Sequence, residues 1–206
     1  MTTLPVRSAG ERAVVLDCGA QAAGVASAVR LLADRLDVRL ADVVPGAATV
    51  LVVAANPVYL QRFLGSLDGL EPAEAARTSG DVVEIPCRYD GPDLAEVAAA
   101  TGLSVTEVIA RHSATTYEAA FTGFAPGFAY LSGLDPVLRL ARRSSPRPRV
   151  PPGSVAIADG YSAVYPRASP GGWHLLGSTD AVIFDAAREP AALIAPGSRV
   201  RFVALP

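Results

Sequence analysis

Lysine is missing from this sequence: all 18 basic residues in the 206-residue chain are arginine. The absence excludes a Schiff-base mechanism, a lysine general base and the phosphate-binding lysine of a P-loop. A phosphate or carboxylate bound by this protein must therefore be met by arginine side chains or by backbone N–H groups.

Cysteine and histidine are scarce, with two of each. Cys18 and Cys87 stand alone in apolar, strand-like surroundings and show no paired spacing. A zinc site would have too few ligands. We therefore predict buried, reduced thiols and no metal centre.

Long apolar runs and a large excess of charge of one sign are also lacking. The longest apolar run, around residues 47–55, is far shorter than the ~20 residues that span a bilayer. The N-terminus shows no charged start followed by an apolar stretch, so no signal peptide is expected. The formal charge of -2 provides no field that attracts nucleic acid or an anionic membrane. We expect a soluble, cytoplasmic protein that has neither nucleic acid nor a membrane as a partner.

Standard signatures of a self-contained catalytic site are absent as well. The sequence contains no G-x-S-x-G nucleophile elbow and no P-loop. An autonomous hydrolase or kinase site is therefore not predicted.

The first part of the chain, residues 1–80, has the pattern of a small α+β domain. Strand-like runs at 13–17, 38–44 and 49–54 alternate with predicted helices at 21–36 and 56–67, and a β run at 82–86 follows. Asn56 and Pro57 are typical of a helix N-cap and first helical position. The order β-α-β-β-α-β predicts a split βαβ, ferredoxin-like unit.

The second part, residues 81–206, reads as a mainly β domain that carries a helix pair at 93–112. Gly102 ends the first helix, and Ser104 with Glu107 predicts a capping box for the second. Short β-like pieces separated by Gly, Pro and Ser predict a closed or nearly closed barrel; they lie at 117–121, 154–158, 162–165, 174–177, 182–184 and 199–204.

The helix pair has the shape of a helix-turn-helix, but its second helix offers DNA only Arg111 and His112. DNA binding is disfavoured because the helix pair has no basic face to contact the phosphates. His112 itself shares a helix face with Val105, Val108 and Ile109. Its role stays open at this point between a buried structural histidine and a site residue.

Rigid loops and arginines supply the other candidates for a binding site. The glycine-, proline- and aromatic-rich segments 121–136 and 169–173 can bring backbone N–H groups close to a ligand. Five arginines occur at 139–149, where several are expected in a solvated loop or a docking surface. We select Arg149 as the anion clamp because it leads directly into the turn at Pro152 and Gly153.

From residue 112 to residue 177 the chain closely resembles the B-type subunits of 5-oxoprolinase, a family also labelled allophanate hydrolase subunit 1 or KipI-like. The matching elements occur in the family's order and spacing. They are His112-Ser113, Tyr117, Gly123–Leu131, Ser145-Pro146-Arg147, Arg149, Pro152-Gly153-Ser154-Val155, Tyr165-Pro166 and Ser169-Pro170-Gly171-Gly172-Trp173.

The resemblance implies a cyclophilin-like β-barrel after a small α+β domain, and a protein that is inactive alone. The complex it implies contains a C-type subunit (KipA-like, allophanate hydrolase subunit 2) and an A-type subunit. That complex converts 5-oxoproline to glutamate with ATP, which is expected to act with magnesium, and with no covalently bound cofactor. We predict catalytic roles for His112, Arg149 and Ser154. Substrate or nucleotide binding is predicted at Gly123, Phe124, Pro126, Gly127, Phe128, Tyr130, Pro152, Gly153, Tyr165, Ser169, Pro170, Gly171, Gly172 and Trp173.

The same resemblance leaves two other functions open. Some family members act as a carboxyltransferase-type subunit in biotin-dependent urea or allophanate metabolism. One branch, the KipI-like proteins, inhibits a sensor histidine kinase by direct binding.

Overall fold

The computed structural model of the chain describes residues 4–73 and 82–206. The chain divides into two compact units, Met1–Arg77 and Thr78–Pro206. Across those described residues, no helix combines the length and the apolar character needed to cross a membrane.

The first unit is a four-stranded antiparallel sheet with two helices. Its strands are β1 Val6–Ser8, β2 Ala13–Asp17, β3 Leu40–Pro45 and β4 Thr49–Ala54, and its helices are α1 Ala22–Arg35 and α2 Pro57–Leu64. The strand order is β1-β2-β4-β3. In β4 every second residue is fully buried because one face of the sheet meets the helices. The predicted cap at Asn56 is confirmed: its side chain accepts a hydrogen bond from the backbone N–H of Tyr59 at 2.9 Å.

The predicted β-α-β-β-α-β unit is wrong in its last strand. Residues Val83–Cys87 form β5, which pairs in parallel with Arg199–Ala204 in the second unit. Beside β2, the edge of the first sheet is filled instead by β1. A short alternating strand fits either sheet, and the partner that decides its place lies more than a hundred residues further along the chain.

The second unit holds a seven-stranded sheet, a two-stranded sheet and two helices. Its remaining elements are α3 Leu94–Thr101, α4 Val105–Ala114, β6 Thr116–Thr122, β7 Ala129–Ser132, β8 Arg147–Val150, β9 Ser154–Ala158, β10 Tyr161–Val164, β11 Ser169–Gly171, β12 His174–Ser178 and β13 Arg199–Ala204. The large sheet runs β12-β9-β10-β7-β6-β13-β5, and β8 pairs with β11.

Most of the predicted strands of this unit are confirmed, and those at 154–158 and 199–204 have the predicted bounds. The strand predicted at 182–184 is wrong, because only an isolated bridge between Phe184 and Ala192 forms there. Three strands, β7, β8 and β11, lie in segments that the sequence suggested were loops.

The large sheet closes nearly into a barrel where the chain after β5 meets the end of β12. Arg88 and Ser178 exchange two backbone hydrogen bonds of 2.8 Å. Glycine is required at this closure: a Cβ on Gly177 would lie 2.1 Å from the carbonyl oxygen of Arg88, and one on Gly91 would lie 2.2 Å from that of Leu175. The nearly closed barrel is thus joined by backbone contacts that a side chain would prevent.

The helix pair is held by the caps that the sequence predicts. Gly102 ends α3 with a φ of +70°. Ser104 and Glu107 form a capping box at the start of α4. Local sequence signals therefore define both helices.

Candidate functional site

Aromatic rings from three segments of the second unit meet at one place. The Phe128 ring makes edge-on contacts with Tyr165 and Trp173, at centroid distances of 5.4 and 5.6 Å. Tyr130 lies 5.1 Å from Phe128 and 5.7 Å from Trp173. Edge-to-face geometry of this kind fixes ring orientations more tightly than area burial alone.

A tight turn between β6 and β7 carries the most exposed ring of this group. Phe124 is 58% exposed and has a left-handed backbone, with a φ of +69°. Hydrogen bonds from the Ala125 N–H to the Gly123 carbonyl and from the Phe128 N–H to the Ala125 carbonyl hold the turn in this shape. A bulky residue at positive φ is uncommon and costs free energy, so it points to a functional constraint on Phe124.

These rings line a small open cleft of about 70 Å³. The residues that line it are Phe124, Phe128, Tyr130, Arg142, Tyr165, Pro170, Gly171, Gly172 and Trp173. All of them except Arg142 are predicted binding residues, so the structure brings most of that predicted set together. Small-molecule pockets usually measure roughly 300–1,000 Å³, and this cleft alone covers only part of a ligand.

Gly171 makes the floor of the cleft possible. A Cβ on Gly171 would lie 2.2 Å from the hydroxyl oxygen of Tyr165, so any side chain there would displace that ring. The Tyr165 hydroxyl accepts a hydrogen bond from the backbone N–H of Trp173. Burial raises the pKa of Tyr165, although nearby Arg142 opposes the shift, and the phenol stays protonated.

Behind the cleft, the buried carboxylate of Asp93 joins three segments. Its Oδ1 accepts hydrogen bonds from Arg143 at 3.0 Å and Arg147 at 2.6 Å, and its Oδ2 accepts the backbone N–H of Leu175 at 2.7 Å. Burial alone would raise the pKa of Asp93, but the hydrogen bonds from Arg147 and Leu175 outweigh it. The pKa lies below its ordinary value, and Asp93 is an anion.

The side chains of Arg143 and Arg147, which pair with Asp93, are three-quarters buried. Arg143 also pairs with Glu96 at 2.7 Å. Within the described residues, Arg143 Nε and Arg147 Nη1 are buried and meet no hydrogen-bond acceptor. Several of the arginines at 139–149, namely Arg139, Arg142 and Arg149, are exposed as expected, but Asp93 draws Arg143 and Arg147 into the protein.

His112 lies inside the barrel, away from the residues that line the cleft, and is fully buried. Ser162 donates its hydroxyl hydrogen to the carbonyl oxygen of Ala156, so its own oxygen accepts from His112 Nε2 at 2.9 Å. Nδ1 therefore accepts from the Tyr89 hydroxyl at 2.8 Å. Burial lowers the pKa of His112 to about 3, and the ring is neutral. This geometry favours the structural interpretation of His112 over the predicted catalytic one.

The other two predicted catalytic residues also lie apart from the cleft. Ser154 is buried and donates its hydroxyl to the carbonyl oxygen of Pro151 at 2.9 Å, where it closes the proline turn. Neighbouring Gly153 has a φ of +76°, and a Cβ on it would lie 2.2 Å from the Thr179 carbonyl oxygen. Arg149 is exposed on β8 and does not line the cleft.

Of the remaining predicted binding residues, Gly127 and Ser169 have structural contacts. Gly127 has a φ of +82° and lies against Phe184. The Ser169 hydroxyl donates to the carbonyl oxygen of Arg167 at 3.2 Å. Gly123 and Pro126 lie in the turn that carries Phe124, and Pro152 precedes Gly153 in the proline turn.

Sequence reasoning missed two contributors, Asp93 and Arg142. Asp93 looked like an ordinary residue at the start of a helix. Arg142 was one of several similar arginines. The density of arginine at 139–149 was the available signal, but it does not say which guanidinium faces a cleft.

Both cysteines are free and buried, as predicted. Burial raises the pKa of Cys87 to about 12, which makes its thiol unreactive at neutral pH. In the described part of the chain, no group of three or more His, Cys, Asp or Glu side chains is placed to hold a metal ion.

Comparison with known proteins gives one consistent result. Residues 4–194 match the family model described as carboxyltransferase domain, subdomain C and D. An Escherichia coli O157:H7 protein, named as the B subunit of 5-oxoprolinase, is 42% identical over 207 residues, which cover 94% of this chain and 93% of that protein. The protein of the same name from Bacillus subtilis (strain 168) is 43% identical over 136 residues, covering 65% of this chain and 57% of that one.

A solved structure resembles the chain over both units. The crystal structure of TTHA0988 superposes with a TM-score of 0.79 at 40% identity. The match covers 95% of this chain but 40% of that one. The matched segment thus corresponds to two fifths of a longer polypeptide.

Proposed function

The chain belongs to the carboxyltransferase subdomain C and D family and, within it, to the B-type subunits of 5-oxoprolinase, and on that premise we propose that it is a non-autonomous component of an ATP-dependent 5-oxoprolinase. One observation carries the proposal: the identity with the Escherichia coli protein extends along almost the whole of both chains. The complex would open 5-oxoproline to glutamate and work in the cytoplasm, where ATP is available.

The chemistry requires activation because amide resonance protects the lactam. Phosphorylation of the carbonyl oxygen by ATP forms a new O–P bond and releases ADP. Water then attacks the activated carbon, and the ring C–N bond breaks to release the amine and leave an acyl phosphate. A second water hydrolyses the acyl phosphate to phosphate and the carboxylate of glutamate. These steps need groups that hold anions and orient the ring. In this chain, which has no lysine, arginine side chains and backbone N–H groups meet that need.

The protein is proposed to work only with partners, the C-type (KipA-like) and A-type subunits. The cleft is too small to enclose a substrate, and the sequence holds neither a P-loop nor a nucleophile elbow. The related TTHA0988 chain carries this segment as part of a longer polypeptide. The small cleft, the missing motifs and the longer related chain support a site that is completed by another protein surface.

Magnesium would arrive with ATP rather than bind to this chain. The carboxylates near the cleft are already engaged: Asp93 and Glu96 contact Arg143, and Asp159 contacts Arg142. These residues do not fit a magnesium site, and no step of the reaction is assigned to the ion.

The two units fit the folds that the family resemblance implies. The nearly closed barrel supports a cyclophilin-like assignment for the second unit. For the first unit we propose a variant of the split βαβ fold. In this variant β2, β4 and β3 are adjacent in the order of a split βαβ sheet, and β1 occupies the edge position beside β2 in place of the fourth strand.

Reconstitution tests the proposal. The purified chain is mixed with the A-type and C-type subunits, and 5-oxoproline-dependent ATP hydrolysis and glutamate are measured. We expect turnover from the full set and none from the chain alone. Turnover by the isolated chain would contradict its dependence on partners, and an inactive full set would contradict the 5-oxoprolinase assignment.

The description of the matching family model favours a second candidate, a carboxyltransferase-type subunit. It predicts exchange of a carboxylate between a biotinylated carrier protein and urea. Such exchange, in a full set that leaves 5-oxoproline intact, would establish this candidate in place of the first.

A further inference from the structure

We propose that the aromatic cleft is the subsite for the ring of 5-oxoproline and that Arg142 binds the substrate carboxylate. The inference rests on the proposed function and adds the residues that recognise the substrate. The substrate class is a small, flat lactam that carries one carboxylate.

The walls of the cleft suit a flat ring. Phe128, Tyr130, Tyr165 and Trp173 present aromatic surfaces whose tilts are fixed by their mutual contacts. At Gly171 the chain approaches the Tyr165 ring without side-chain bulk. Sites for small ligands commonly combine apolar and aromatic walls with a few well-placed polar groups.

Arg142 is the charged residue among the described residues that line the cleft. Its side chain is 60% exposed and contacts Asp159, itself 52% exposed, through Nε at 3.4 Å. An exposed pair of this kind is weak because water screens both charges, so a ligand carboxylate can readily replace it. Arg143 and Arg147, in contrast, are held by the buried carboxylate of Asp93 and are not free to serve as the clamp.

The residues around Arg142 are fixed by hydrogen bonds on both sides. The carbonyl oxygen of Leu140 accepts the backbone N–H of Asp159 at 2.7 Å, and that of Ala141 accepts His174 Nε2 at 2.9 Å. On the other side, the backbone N–H of Arg143 donates to the carbonyl oxygen of Gly172 at 2.7 Å. Arg142 is therefore presented by a segment whose backbone is already ordered, and little conformational entropy is lost on binding.

Phe124 forms the rim of the same cleft. It contacts Phe128 and Tyr165 edge-on at centroid distances of 5.1 and 6.2 Å, yet is more than half exposed. A bound ring would cover the exposed surface of Phe124, which gives the left-handed backbone at this residue a role in binding.

The test uses the reconstituted complex and the variant Arg142→Gln, with Arg139→Gln as the matched control. Arg139 lies on the same segment but does not line the cleft. Loss of a charge-assisted contact should raise the KM for 5-oxoproline roughly ten- to a hundredfold. We expect kcat and the KM for ATP to change little, because Arg142 meets the carboxylate and not the reacting carbonyl. Arg139→Gln should behave as the wild type.

The single tryptophan of the chain provides a second measurement, because Trp173 lies in the cleft. Titration of the chain with 5-oxoproline should change its fluorescence, whereas 2-pyrrolidone, which lacks the carboxylate, should bind roughly tenfold or more weakly, by the loss of one charge-assisted contact. Arg142→Gln should remove that difference between the two ligands.

The outcomes separate the two proposals. A complex that turns over with an unchanged KM in Arg142→Gln would overturn the subsite and leave the 5-oxoprolinase assignment intact. A wild-type complex without turnover would overturn the assignment, and the Trp173 titration would then decide the subsite by itself. Equal affinity for 5-oxoproline and 2-pyrrolidone would overturn the carboxylate role of Arg142.

Discussion

Arg143 donates its backbone N–H to the carbonyl oxygen of Gly172 at 2.7 Å and so ties the arginine-rich segment to the aromatic cleft. The contact joins two motifs that are 29 residues apart in the sequence (172 minus 143). Because of it, the neighbouring Arg142 lies at the cleft while the Arg143 side chain turns back toward Asp93. On either side of one backbone hydrogen bond, therefore, one arginine side chain lines the cleft and the next pairs with a buried carboxylate.

Replacement of Asp93 by asparagine should destabilise the second unit strongly. The variant leaves Arg143 and Arg147 without their buried counter-charge, and breaking a buried ion pair from one side costs about 3–5 kcal/mol. Urea unfolding at pH 7 measures the loss. Glu96→Gln is the control: Glu96 is 55% exposed, and its removal should cost about 1 kcal/mol or less.

The same carboxylate predicts a pH dependence. The pKa of Asp93 in the folded protein lies below its ordinary value of 3.8, so the unfolded chain takes up the proton first. Its contribution to stability is fully present above that value and is lost as the pH falls through the folded pKa. Asp93→Asn should remove this part of the acid sensitivity. An unchanged slope of stability against pH in this acidic range would contradict the prediction.

Local features of the fold could be predicted because they depend on neighbouring residues. Asn56 with Tyr59, and Ser104 with Glu107, form caps within one helical turn. Gly102 ends α3 through its own backbone freedom. Signals of this kind need no knowledge of tertiary structure.

The features that could not be predicted depend on pairing across long sequence distances. Strand β5 alternates like an ordinary edge strand, and only its contact with β13 assigns it to the second sheet. Asp93 and Arg147 are 54 residues apart, and neither residue alone reveals the ion pair. For the same reason the loop motifs indicate most residues that line the cleft, but not that Arg142 is the arginine beside them.

His112→Gln should remove a pH dependence of stability in the second unit. The folded-state pKa of His112, about 3, lies below the ordinary value of 6.5 because burial disfavours the charged ring. The unfolded chain therefore binds the proton first, and the free energy of unfolding falls as the pH is lowered from about 6.5 toward 3. Chemical unfolding across this range should show a shallower slope in the variant.

Turnover of folded His112→Gln in the complex tests the predicted catalytic role of His112. A loss of kcat without a change in melting temperature would show that the imidazole takes part in the reaction and would contradict the structural interpretation.

Gly171→Ala should disrupt the cleft, whereas Gly172→Ala should leave stability almost unchanged. A methyl group on Gly171 would lie 2.2 Å from the Tyr165 hydroxyl, while one on Gly172 would have its nearest neighbour, the Arg143 carbonyl oxygen, at 3.6 Å. Forced overpacking typically costs about 1–3 kcal/mol, and thermal unfolding should resolve the two variants. Adding Tyr165→Phe to Gly171→Ala removes the closest atom and should restore part of the loss. Equal melting temperatures for the two single variants would refute the assigned contact.

Phe124→Gly should be more stable than Phe124→Ala, which reverses the usual order of these two residues. At most positions glycine is the less stable choice because the unfolded chain gains conformational freedom. The backbone of Phe124, however, has a φ of +69°, where a Cβ costs about 1–2 kcal/mol and glycine costs almost nothing. Both variants lose the ring at the rim of the cleft, so both should raise the KM for 5-oxoproline by a similar factor.

Val182 provides the matched control for the Phe124 pair, since it is equally exposed at 58% and its φ is not positive. There the alanine variant should be the more stable one. The measurement is the melting temperature of the glycine and alanine variants at Phe124 and at Val182. If alanine is also the more stable residue at position 124, the left-handed turn does not persist in solution, and Phe124 does not form the rim of the cleft through that turn.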